Sequence, residues 1–261
     1  MEYLVISVVA FVMSGVTLFS GFGLGTVLMP TFALFFPVPI AIAATAVIHL
    51  ANNAFKLVLV GRLADWTIVG RFGAPAAVAA IAGAGALSLF ASLPTLAAYR
   101  LGGRVFDVTP VKAVIGVLII VFAWLEVSRR FERFTVSAGY LALGGVLSGF
   151  FGGLSGNQGA FRSAFLLKAG LGKQAFVGTN VVSAVIVDTV RLAVYGFSFF
   201  TQRVLELPAG ILWVVMAAMG CAFLGAWAGA RLLEQVTLRV VRVAVATMLM
   251  LVGAGLLTGL V

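Results

Sequence analysis

The chain has 261 residues, 62% hydrophobic and 10% charged, with a mean hydropathy of +1.19 and a formal net charge of +9. Soluble domains carry about 25% charged and 45–50% apolar residues, so this inventory cannot cover a water-facing surface. The chain reads as an all-α integral membrane protein. One cysteine, Cys221, and one histidine, His49, exclude an intrachain disulfide, a metal–thiolate cluster and a multi-histidine metal site. No metal or cofactor is called for.

The first apolar stretch covers residues 3–36. It follows Met1-Glu2-Tyr3 with no basic residue ahead of it, the first being Lys56, so it reads as a retained membrane segment rather than a cleaved signal. It is longer than one span and is interrupted midway by Ser20-Gly21-Phe22-Gly23-Leu24-Gly25. Residues 38–60 have the length of a span but carry His49, Asn52, Asn53 and Lys56 inside it. Residues 67–92 and 110–128 are uninterrupted, and about 20 residues at 1.5 Å each cross a hydrocarbon core of about 30 Å. The second half repeats the order. Residues 135–167 break at Gly152-Gly153-Leu154-Ser155-Gly156-Asn157-Gln158-Gly159. Residues 174–197 carry Thr179, Asn180, Asp188 and Arg191, and 207–230 and 239–260 are clear spans.

Loop charges favour a hairpin at each break. If both broken segments return to their starting side, Arg62, Arg129, Arg130, Arg133, Lys168, Lys173, Arg231, Arg239 and Arg242 all face the cytoplasm. Only Arg100, Arg104 and Arg203 then lie opposite. Each half becomes one re-entrant broken-helix hairpin plus three transmembrane helices, an odd number of crossings, so the two repeats are inverted. The expected units are a first repeat at 1–128, a cytoplasmic linker at 129–134 and a second repeat at 135–261. Shifting the halves by 135 residues lays Ser20-Gly21 on Ser155-Gly156, Asn53 on Asp188, Lys56 on Arg191 and Gly61 on Gly196. Inverted repeats with discontinuous helices are a common transporter design, with substrate held near the midplane where the breaks meet.

A break leaves N–H groups of the second half-helix without partners and with partial positive charge, and glycine lets backbone approach a ligand. The candidate substrate-binding residues are therefore Ser20, Gly21, Gly23 and Gly25 at the first break. At the second they are Ser155, Gly156, Asn157, Gln158, Gly159 and Arg162. Packing is the competing role for these glycines. Arg162 is too deep to snorkel, so its charge is offset either by an anionic substrate or by an ion pair with Asp188, the only deep acid. His49 lies mid-span and shares a face with Asn52 and Asn53. It could bond substrate, carry a proton or bond a backbone carbonyl. Thr179 and Asn180 occupy the equivalent region of the second half. Asp188 and Arg191, spaced i and i+3, form a coupling site or an ion pair, while Lys56 and Arg191 near span ends also read as snorkelling anchors. Gly225-Ala226-Trp227-Ala228-Gly229 has the spacing of a helix–helix contact. No Walker loop, zinc motif, nucleophile elbow or dinucleotide fingerprint is present, so an enzyme is not expected.

Several of these segments carry a resemblance. Ser14-Gly15, the run Ser20 to Gly25, Pro30, Ser148-Gly149 and the run Gly152 to Gly159 resemble the sulfite exporter TauE/SafE family, as does the turn Gly61-Arg62-Leu63-Ala64-Asp65-Trp66. The resemblance covers about residues 5–258 and implies a membrane transporter of sulfite, sulfoacetate or related organosulfonates. One departure stands out. Where the family commonly has a glycine cluster followed by proline, this chain has Asn157, Gln158 and Arg162-Ser163. The expectation is a secondary transporter, an exporter of small sulfur-containing anions, working by alternating access around a midplane site. A channel, or an importer of another small anion or metabolite, is the alternative on the same scaffold. The expected partners are the small anion and the lipid bilayer, with no nucleic acid; a homodimer is compatible. The expected location is the cell inner membrane or plasma membrane, as a multi-pass protein.

Overall fold

The computed structural model describes residues 1–20, 24–128, 138–197, 208–232 and 238–261. Gly21, Gly23 and the linker expected at 129–134 lie outside the described residues. An apolar chain in lipid must close its own backbone hydrogen bonds, and helices do so within one segment. The first broken segment forms α1 (Glu2–Ser20) and α2 (Leu24–Ala33), followed by α3 (Val38–Val60) with Pro39 in its first turn. A 3₁₀ turn, Gly61–Leu63, leads to α4 (Trp66–Ser92). Its N-cap is Asp65, whose carboxylate accepts from the N–H groups of Thr67 at 2.9 Å and Ile68 at 3.0 Å. Next come β1 (Ala97–Leu101), β2 (Arg104–Val108) and α5 (Pro110–Val127), which is capped by Thr109. The second half forms α6 (Leu141–Ser155), α7 (Gly159–Leu166), α8 (Lys173–Tyr195), α9 (Ile211–Leu232) and α10 (Leu238–Thr258).

Four described helical stretches are long and apolar enough to cross a membrane: Val38–Leu63, Trp66–Ser92, Lys173–Tyr195 and Ile211–Gly229. The surface is apolar, and a set of charged side chains is buried inside it, the reverse of a soluble protein. Val78, Leu212, Trp213 and Leu251 are exposed, whereas Arg162, Asp188 and Arg191 are buried. The larger apolar core gathers Leu28, Phe32, Ile42, Ile115, Ala218 and Leu249, and a smaller one holds Phe72, Leu141, Phe165 and Val187.

The all-α expectation holds, and one small hairpin is added to it. Residues Ala97 to Val108 form an antiparallel hairpin with Leu101 paired to Arg104 across Gly102-Gly103. Both glycines have positive φ, +59° and +79°, as a tight two-residue hairpin turn requires. Tyr99 stacks on Phe106, and its hydroxyl donates to the Thr258 carbonyl at 2.5 Å, which seats the hairpin on the end of α10.

The second broken segment folds back on itself. A Cβ added at Gly144 of α6 would fall 2.3 Å from the Phe165 ring on α7, although a continuous helix would hold those residues about 31 Å apart. The turn is made at Gly156, whose φ of +83° is open to glycine at little cost. Gly152 and Gly153, expected within the interruption, instead continue α6 and serve packing. Along α6, added Cβ atoms at Gly145, Gly149 and Gly153 would lie 2.2, 2.0 and 2.3 Å from the carbonyl oxygens of Phe72, Ala76 and Ala80 on α4. The two backbones are in direct contact. Helix α1 meets α9 in the same manner, with Gly225 against Phe11 and Gly229 against Gly15, so the small-residue spacing does mark a helix contact. The long helices are thus held by backbone apposition, leaving the middle of the bundle to polar side chains.

Candidate functional site

The middle is organised by Asp188 on α8, whose exposure is 0%. Its Oδ2 lies 2.6 Å from Nδ1 of His49 on α3 and accepts from Nδ2 of Asn53 at 3.3 Å. Its Oδ1 accepts from Nε2 of Gln158 at 2.7 Å and Nε of Arg191 at 3.0 Å. Arg191 NH2 is also 2.7 Å away, though off the hydrogen-bond line. One carboxylate therefore ties α3, α8 and the α6–α7 break together. A buried carboxylate is tolerable only with this degree of pairing.

Gln158 extends the cluster. Its Oε1 accepts from NH1 of Arg162 at 2.8 Å, while Arg162 Nε donates to Oδ1 of Asn180 at 2.7 Å. The Gln158 carbonyl accepts from the Ser148 hydroxyl at 2.9 Å, which fixes the approach to α7. Arg162, only 3% exposed, thereby has both edges of its guanidinium held by neutral carboxamides. Asp188 reaches Arg162 through the Gln158 amide.

Asn157 differs from its neighbours. It is 2% exposed, and neither Oδ1 nor Nδ2 has a hydrogen-bond partner among the described residues. Its N–H donates to the Ser155 hydroxyl at 3.4 Å, so the backbone is held while the carboxamide is left unmatched. The hydroxyl of Ser163 on α7 is likewise buried and unmatched. An unsatisfied buried amide costs about 1–3 kcal/mol, and here it stands just before the N-terminus of α7, where unpaired N–H groups favour an anion.

Residues 5–256 match the model of a protein family described as sulfite exporter TauE/SafE. The chain belongs to the sulfite exporter TauE/SafE family. That is a family of membrane transporters, and the apolar helices agree. No curated protein and no solved structure matches the chain.

Within this family member, the structure brings together His49, Asn53, Gln158, Arg162, Asn180, Asp188 and Arg191. Gly25, in the first turn of α2, lies against the same centre: a Cβ there would be 3.4 Å from the Gly156 carbonyl oxygen and 3.5 Å from the His49 ring. Gly159 begins α7 and is buried. Ser155 is used locally, donating to the Phe151 carbonyl at 3.0 Å. Two expected site residues have partners elsewhere. Asn52 accepts from Ser14 of α1 at 3.0 Å, and the Thr179 hydroxyl accepts from the Asp65 N–H at 3.0 Å. Ser20 is the last residue of α1, and Gly21 and Gly23 fall outside the described residues.

The anchor role expected of Lys56 and Arg191 is corrected. Both are buried, and Arg191 bonds Asp188 and the Gly152 carbonyl instead of reaching an interface. Neighbouring helices, not distance along α3 or α8, set their exposure. Two contributors went unread in the sequence. Tyr195 donates to the Gly153 carbonyl, and Ser148 positions Gln158. The spacing of Asp188, Arg191 and Tyr195 at i, i+3 and i+7 on one helical face was the available signal.

Proposed function

We propose that this chain is a secondary transporter that exports small sulfur-containing oxyanions such as sulfite or organosulfonates, multi-pass in the cell inner or plasma membrane. The anion is bound at the α6–α7 break by Asn157, the start of α7 and Arg162, and exposed alternately to the two sides. The observation that carries this is the Asn157 carboxamide, buried beside a helix N-terminus with no partner among the described residues. Such a group is stabilised by a ligand that supplies the missing bonds. A sulfur oxyanion offers several oxygens to Nδ2, to backbone N–H groups and to a guanidinium at once.

Two inverted repeats, 1–128 and 135–261 joined by 129–134, give the alternating geometry. Helix limits support the repeat. At a shift of 135 residues both limits of α3 fall on those of α8. The packing exchanges partners as a two-fold relation requires, α1 against α9 and α6 against α4. Asn53 and Asp188, equivalent by the shift, touch each other, as residues near such an axis must.

The test is flux into proteoliposomes of a panel of labelled sulfite, sulfoacetate and carboxylates, with Asn157→Ala alongside. Saturable movement of sulfur oxyanions is expected, reduced at least tenfold in the variant with its fold retained. Preference for carboxylates, or unchanged transport by Asn157→Ala, refutes the assignment.

A further inference from the structure

His49 has an asymmetric environment. Its Nδ1 faces the Asp188 carboxylate at 2.6 Å, which fixes the proton on Nδ1 and leaves Nε2 as the basic nitrogen. Asn53 Nδ2 lies 3.3 Å from Asp188 Oδ2, 3.0 Å from His49 Nδ1 and 3.4 Å from Nε2, and braces the ring against the carboxylate. The Cδ2–Nε2 edge faces Gly25 in the first turn of α2, across from the Gly156 carbonyl, a gap that a Cβ at residue 25 would narrow to 3.5 Å from the ring. The His49 side chain keeps 11% exposure while Asp188 keeps none, so the imidazole is the less enclosed member of the pair. The charged groups that act on the ring among the described residues are Asp188 and Arg191 from α8 and Arg162 from α7.

We propose that His49 is a proton-carrying site coupled to the anion, taking one proton at Nε2 when the anion binds and releasing it when the anion leaves. This rests on the site proposed above. The step balances simply. A proton leaves water, one N–H bond forms at Nε2, and the imidazolium keeps its Nδ1–H bond to Asp188; on the other side of the membrane that N–H bond breaks and the proton returns to water. The added charge lies between Asp188 and the two half-helix starts. Anion and proton therefore favour each other's binding, by the same factor in each direction. Asp188 acts as the positioning residue that keeps Nε2 turned toward the break.

The experiment uses sulfoacetate, whose charge does not change around neutral pH, so any proton that moves with it rides on the protein. Proteoliposomes are loaded with labelled sulfoacetate and a luminal pH dye, the membrane potential being clamped with potassium and valinomycin. In the wild type, efflux of the label should make the lumen more alkaline. His49→Gln should move label at a lower rate, with the pH change per anion moved reduced at least tenfold. Because His49 is the only histidine, diethyl pyrocarbonate on untagged wild type should abolish the pH change and hydroxylamine should restore it, which covers a variant that fails to fold. Label efflux without a pH change in the wild type, or an unchanged pH change in either modified protein, overturns the proposal while leaving anion transport standing. If none of the panel anions moves at all, the transport reading fails first and this one with it.

Discussion

Asp188→Asn is the substitution that the structure weights most heavily. The carboxylate meets His49, Asn53, Gln158 and Arg191 between 2.6 and 3.3 Å. Asparagine keeps an oxygen for Gln158 and Arg191, but its amide then turns donor hydrogens toward the Nδ1–H of His49 and the Nδ2 of Asn53. It also removes the negative charge beside Arg191, which is 0% exposed and cannot reach water. Breaking a buried pair from one side costs about 3–5 kcal/mol, because the remaining charge keeps its desolvation penalty. Asp188→Asn should therefore lower the melting temperature by many degrees. Asp188→Asn/Arg191→Gln should recover about 2 kcal/mol relative to the sum of the single changes, within the range for neighbours sharing one network. Cys221, the only cysteine and partly buried on α9, reports unfolding through a thiol-reactive dye in detergent. If Asp188→Asn melts with the wild type, or the two changes simply add, the carboxylate does not hold the centre together.

Gly149→Val should abolish folded yield, since an added Cβ would sit 2.0 Å from the Ala76 carbonyl oxygen, whereas Gly70→Ala, with no heavy atom within 4 Å of its added Cβ, should be silent by fluorescence-detected size exclusion. Arg162→Lys keeps the charge but cannot hold the Gln158 and Asn180 oxygens as a fork does, so sulfite-dependent thermal stabilisation should weaken by about 1–3 kcal/mol of binding free energy; equal stabilisation would make Arg162 purely structural. With two inverted repeats of odd crossing number, reporter fusions at Met1 and Val261 should both report the exterior side, and opposite sides would remove the inverted arrangement.

Much of the fold was legible because lipid leaves the backbone few choices. Apolar runs of span length became helices, and the two glycine–serine interruptions became the ends of α1 and α6. What escaped was decided by contacts between segments. Gly152 and Gly153 read as part of a break because glycine disfavours helix; α4 lying backbone-to-backbone against α6 reverses that preference. The β1–β2 hairpin lies within 93–109, a stretch too short to span and without the apolar period that marks the helices. Its signal was Gly102-Gly103, the pair that a tight turn with two positive φ values selects.

For the site, helix rise along one segment gave the depth of His49, Arg162 and Asp188, and that is all it can give. The bond from His49 to Asp188 joins residues 139 apart in sequence, and it forms because α3 and α8 lie side by side. Arg191 shows the limit clearly. Four residues from the end of its helix, it has ample reach to an interface, yet α6 covers that route and offers the Gly152 carbonyl at 3.2 Å, with Asp188 one turn away. A guanidinium with buried acceptors that close gains nothing by snorkelling, since leaving would strand Asp188 without its counter-charge. The same accounting distinguishes Asn157: among the described residues neither of its two polar side-chain atoms has a partner, and it stands at the helix break, where an anion is best received.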